Sequence, residues 1–204
     1  MLFIDTFSTR INRHRAMLDP AVVTTYSNIQ PDIVMPWAGL SFPLYTAAHR
    51  TAALIRHRRA IPLLARPWSD HDLHDTLRAA DELLREIGQS QGTMHSIINS
   101  NPHLQPHQHL HDAYRLAAQL NVRTGVLCEA PSSLTVRLLV RQLLAVLEYM
   151  KGHKLPGVRL LHWPMFQAAI ASRTGGQAAG KDDRERSLAL YKQFEYVDAL
   201  GRAN

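Results

Sequence analysis

Histidine is the side chain whose chemistry this sequence concentrates. Seven of its twelve histidines, His71, His74, His95, His103, His107, His109 and His111, fall between Asp70 and Asp112. Imidazole binds transition metals through either ring nitrogen and titrates near neutral pH. His71 and His74 stand about one helical turn apart, and the alternation His107, His109, His111 has a spacing that could grip a metal ion. No set of thiols or carboxylates accompanies them, and Gln and Pro interleave residues 103–109. They read as polar surface, and no metal or cofactor is expected. Protonated near pH 6, they would make this acidic stretch cationic and any polyanion binding pH-dependent.

Catalysis finds little else to work with. His49, His74-Asp75 and Asp198 resemble in spacing the helical HD-type metal phosphohydrolases, in which His and Asp share a divalent ion. In that family the paired residues follow an apolar helix, whereas here DHDLHDT is polar almost throughout. There is no phosphate-cradling glycine loop, and Cys128 lacks the surroundings of a nucleophile. The chain is therefore read as non-enzymatic. One cysteine also excludes internal disulfides and a multi-cysteine zinc site, and it suits a reducing compartment. A buried, inert thiol is expected there. The start, MLFIDTFSTRINRHR, reads as neither secretion signal nor anchor, so the expected location is cytoplasmic, without a membrane.

Charge points to partners. The formal net charge is +6, which favours polyanions. It is uneven: residues 1–68 sum to +5, residues 69–128 to −3 and residues 129–204 to +4. The densest basic cluster is Arg50, Arg56, Arg58 and Arg59. It is open to two readings, cations set favourably against a helix dipole or a phosphate contact.

The elements that must position these groups are helices. Apolar spacing predicts them over residues 2–17 and 20–29, then from Ser41 through Ile55 into RHRR. Pro62 and Pro67 break the chain, and Ser69-Asp70 reads as the cap of a helix stopping at Gly88. Residues 132–151, SSLTVRLLVRQLLAVLEYMK, are apolar over most of the helical circumference, so this helix is expected to be buried at the centre. Pro164 is expected to open a further helix, and TGGQAAGKDD reads as a linker. Trp37, Trp68 and Trp163 each lie near a proline at an element boundary, as hydrophobic pins or as stacking platforms for unpaired bases. The fold expected is all-α: a single helical domain over 1–174, a linker over 175–182 and a hinged helix over 183–204 able to dock on a partner or second copy.

One stretch, Ala80 to Val122, resembles the helix-turn-helix of the phage-repressor and Cro-like DNA-binding regulators. ELLREIG resembles the first helix with its turn glycine, SQGTMHSIIN the recognition helix, and LHDAYRLAAQLNV the closing helix. The resemblance implies a left-handed turn at Gly88, with Leu84, Met94 and Ile97 locking the helices. It would set Gln91, Gly92, His95 and Ser96 against base edges, with Thr93 and Asn99 nearer the backbone. The resulting expectation is a nucleic-acid-binding protein, DNA before RNA, of the kind that includes DNA-binding transcriptional regulators. In it Gln91 to Asn99 would read sequence and the Arg50–Arg59 cluster would hold phosphates. The alternative is a helical adaptor subunit of a nucleoprotein or secretion-type assembly that binds backbone or protein without reading bases.

Overall fold

The computed structural model describes residues 34–35, 40–60, 69–173 and 178–201. The helices read over 2–17 and 20–29, together with Trp37 and Trp68, lie outside the described residues. Among the described residues the fold is all-α apart from one small hairpin. In it β1 (Val34–Met35) pairs antiparallel with β2 (Leu40–Ser41), Val34 opposite Ser41 and Met35 opposite Leu40. Helix α1 (Phe42–Ala60) leaves β2 with Pro43 in its first turn, where a missing N–H costs nothing. It ends on His57, Arg58 and Arg59.

Helix α2 (Asp70–Ser100) is 31 residues long. Ser69 starts it with a capping box: its hydroxyl accepts from the Asp72 N–H at 3.1 Å, and its own N–H donates to the Asp72 carboxylate at 3.1 Å. Thr76, Ala80, Leu83, Ile87, Ser90, Met94 and Ile97 are all buried. Their steps alternate between four and three residues, so one stripe runs the length of the helix and straight past Gly88. A glycine inside a helix costs only about 0.5–1 kcal/mol relative to alanine. The contacts on either side hold the backbone helical through it, so the expected stop at Gly88 does not occur.

A 3₁₀ turn (Pro102–His107) leads into α3 (Gln108–Asn121), which runs on into a turn of π-helix (Val122–Val126). Helix α3 is the centre of the core. It packs on α1, on α2 and on the next two helices, α4 (Leu134–Gly152) and α5 (His162–Ala171). Ala113, Ala117 and Ala118 are fully buried on it and let its neighbours approach closely. Tyr114 anchors the far side: its hydroxyl donates to the Leu160 carbonyl at 2.6 Å and its ring stacks on Trp163 with centroids 5.6 Å apart. Burial pushes the pKa of that hydroxyl far up. Trp163 is thus a hydrophobic pin. Between α4 and α5, Gly157 takes a left-handed φ of 81°, and a Cβ there would lie 2.5 Å from Leu110 Cδ2.

Helix α4 is capped by Ser133, whose hydroxyl accepts from the Val136 N–H at 3.3 Å. It buries Val136, Val140, Leu143, Leu144, Leu147 and Met150. Its opposite face is open, with Leu134 74%, Leu138 51% and Tyr149 46% exposed. The helix expected to be enclosed on all sides is covered on one, and the central place falls to the more alanine-rich α3. The last helix, α6 (Ala178–Gly201), begins inside the stretch read as linker, where Ala178 and Ala179 favour helix. It lies against α4 and α5 of its own chain. Arg186 donates to both Glu148 carboxylate oxygens, at 2.9 and 2.7 Å, and Asp183, almost fully buried, pairs with Arg141 at 3.4 Å.

Candidate functional site

The residues expected to read DNA share one continuous helix. Gln91 and Thr93 are half-buried, Gly92, His95, Ser96 and Asn99 are exposed, and Met94 and Ile97 face the core. They sit in the last third of α2, and no helix N-terminus is present at Ser90 to lead into a groove. A recognition helix needs a short supporting helix set at an angle before it. An unbroken 31-residue helix cannot supply that angle. His95 is instead tied within the fold, sharing a hydrogen bond of 3.0 Å with Gln108, which in turn accepts from Gln105 at 2.8 Å.

The arginine cluster is drawn apart in the same way. Arg50 donates to both oxygens of Glu86, at 2.7 and 2.6 Å, and lies 3.9 Å from Glu82. Arg58 donates to the Gly125 carbonyl at 3.1 Å and to the Cys128 sulfur. Arg56 is half-buried and Arg59 is exposed. Arg50 therefore faces α2 while Arg58 faces the π-turn, on the rim of a cavity of about 350 Å³ whose walls include Leu73, Leu77, Val126 and Leu127. Cys128, expected to be buried, is exposed, with a φ of 54°. The thiol stays at the surface, where its sulfur accepts from Arg58.

The histidines scatter. His71 pairs with Asp75 at 3.1 Å, and His74 is exposed. His109 lies against the Tyr149 ring, centroids 4.8 Å apart, and His153 covers that ring at 4.1 Å. His111 turns inward and shares a hydrogen bond of 2.9 Å with Ser41 Oγ, joining α3 to β2. Burial, followed by the nearby positive charges of Arg115 and His95, holds its pKa down to about 3. Alternate residues on a helix point about 200° apart, which turns His109 away from His111, and His107 belongs to the preceding 3₁₀ turn. Among the described residues no three His, Cys, Asp or Glu side chains are placed to hold a metal ion. Of the phosphohydrolase-like set, His49 is buried on α1, His74 is exposed on α2, and the side chain of Asp198 lies outside the described residues. No helix among the described residues is long and apolar enough to cross a membrane.

These observations define a helical protein in which Arg50, Arg58, His95 and His111 serve its own packing. The chain belongs to the fungal specific transcription factor domain family, whose model matches residues 4–204. Neither a curated protein nor a solved structure matches it. The family assignment and the unbroken α2 together overturn the resemblance to phage-repressor and Cro-like regulators. The assignment places the chain with transcriptional regulators.

Proposed function

We propose that this chain is a non-enzymatic helical part of a nuclear transcriptional regulator. In this reading it associates with DNA through backbone phosphates and leaves base readout to other means. The observation that carries the reading is the family match, which extends over all the described helices. The geometry supports the absence of base readout: Gln91 to Asn99 lie in the last third of an unbroken helix, and Arg50 is neutralised by Glu86. The phosphate contact draws on the net charge of +6 and on exposed cations such as Arg59.

The test is a salt-titrated binding assay on random and selected duplexes, run beside a reporter assay with the chain tethered at a promoter. Binding should weaken steeply with salt, with nearly equal affinity for every duplex. Arg59→Ala should flatten the salt slope without changing the preference among duplexes. The tethered chain should alter transcription. A duplex bound about a thousandfold more tightly than random sequence would overturn the phosphate-only reading. A tethered chain without effect on the reporter would overturn the regulatory one.

A further inference from the structure

The longest exposed apolar stripe among the described residues is on α4. Leu134, Leu138, Gln142, Ala145 and Tyr149 are all exposed. At 100° per residue they fall within an arc of about 80° and span about 22 Å of helix. The other large apolar residues exposed among the described ones come in pairs, Leu73 with Leu77 on α2 and Leu188 with Tyr191 on α6. Helix α6 does not cover the α4 stripe. It sits along one edge, held there by Arg186 to Glu148 and Asp183 to Arg141. Tyr149 is already fixed in place, its ring packed between His109 and His153.

We propose that this stripe is the interface with a second copy of the chain, packed antiparallel with Gln142 at the two-fold axis. Three features of the stripe select that occupant and that direction. The residue sizes are complementary about Gln142: antiparallel pairing lays Leu134 against Tyr149 of the second copy and Leu138 against its Ala145. The charge along the α6-facing edge is also polarised, with Arg137 and Arg141 towards the N-terminus and Glu148 towards the C-terminus. An antiparallel two-fold keeps the α6-facing edges of both copies on the same side of the seam and brings Glu148 of one towards Arg137 of the other, whereas a parallel two-fold sets these edges on opposite sides and forgoes that pairing. Arg141 would lie close to the axis, and the buried Asp183 carboxylate offsets its charge within each copy. Finally, a polar glutamine at the centre of an apolar seam fixes the register, because it meets its like only when aligned.

The area sets the strength. The three large side chains leave roughly 300 Å² exposed per copy, and with Thr135, Gln142 and Ala145 the pair buries roughly 1,000 Å² in all, at the low end of specific interfaces. The dimer is therefore reversible and concentration-dependent.

The test uses the full chain with Cys128→Ser, at a salt concentration that strips nucleic acid. Sedimentation equilibrium across a concentration series should show a monomer and dimer in exchange. Leu138→Arg and, separately, Leu134→Glu should raise the dissociation constant by about tenfold or more. Both replace exposed side chains, and circular dichroism confirms that each variant is folded. Gln142→Cys should cross-link into a disulfide dimer under mild oxidation, while Thr135→Cys, about 10 Å along the helix from the axis, should not. A monomer at every concentration overturns the proposal, as does a dimer indifferent to both Leu variants. Cross-linking at Thr135→Cys as strong as at Gln142→Cys overturns the antiparallel arrangement. DNA affinity does not enter these readouts, so they stand apart from the regulatory reading.

Discussion

Replacing Gly88 with alanine separates a continuous α2 from a helix-turn-helix by the sign of the effect. In the structure Gly88 is exposed in mid-helix, and a Cβ built on it meets nothing within 4 Å; the same holds for Gly92 one turn on. Alanine removes the extra freedom that glycine has in the unfolded chain and adds no clash, so each substitution should stabilise by about 0.5–1 kcal/mol. Both new methyls face open space, and the propensity gain is counted residue by residue, so the double variant should gain about 1–2 kcal/mol. The readout is the midpoint of urea unfolding. With a slope of about 2–3 kcal/mol per molar for a chain of this size, the double variant should move it up by about half a molar. In a turn at Gly88 the same alanine would be forced into left-handed backbone at a cost of about 1–2 kcal/mol. A lowered midpoint for Gly88→Ala would therefore refute the unbroken helix and the packing argument behind it.

Gly157→Ala should act in the opposite direction. Its left-handed φ costs about 1–2 kcal/mol for any L side chain, and the new methyl would displace the buried Leu110. An unchanged melting temperature would sink that account. Acid should destabilise the fold through His111. Its folded pKa is held down to about 3 while the unfolded histidine titrates near its ordinary 6.5, so the stability is full above about pH 6.5 and is lost as pH falls towards 3. Between pH 7.5 and 5 the loss from this group should be about 2 kcal/mol by urea unfolding. His111→Gln should lack that component, and parallel pH profiles for the two proteins would refute the assignment.

What was legible in the sequence follows from where the decisive interactions lie along the chain. Local signals read well. Ser69 caps the helix it was expected to cap, Ser133 at the start of the SSLT run caps α4, and the RHRR run ends a helix as its position against the dipole implies. Helix α4 is where its apolar density placed it, yet its mean apolarity hid a division. Val136, Val140, Leu143, Leu144 and Leu147 are buried in the core, while Leu134, Leu138 and Tyr149 stay outside. The centre went to α3 because its alanines pack closely, a property of small size that apolar counting undervalues. In α2 the relevant signal was present but spread over a longer window than a glycine: the alternating steps from Thr76 to Ile97 keep one phase across Gly88, which a turn would have reset.

The candidate site was harder to read because it depends on long-range pairing. Arg50 and Glu86 lie 36 residues apart, Arg58 and Gly125 67 apart, and His111 and Ser41 70 apart. No local pattern reveals that these side chains meet. A cluster of arginines in sequence is a candidate phosphate site only while its charges have nowhere else to go. Once α1 packs on α2, the Glu86 carboxylate lies within 2.7 Å of Arg50, closer than any phosphate could displace without breaking two hydrogen bonds. The same packing that removes Arg50 from a nucleic-acid surface consumes His95 and His111 in the joints between α2, α3 and β2. Among the described residues the outward face of α4 adds an apolar stripe to the exposed cations such as Arg59, so the physical argument for a protein partner rests on shape as well as charge.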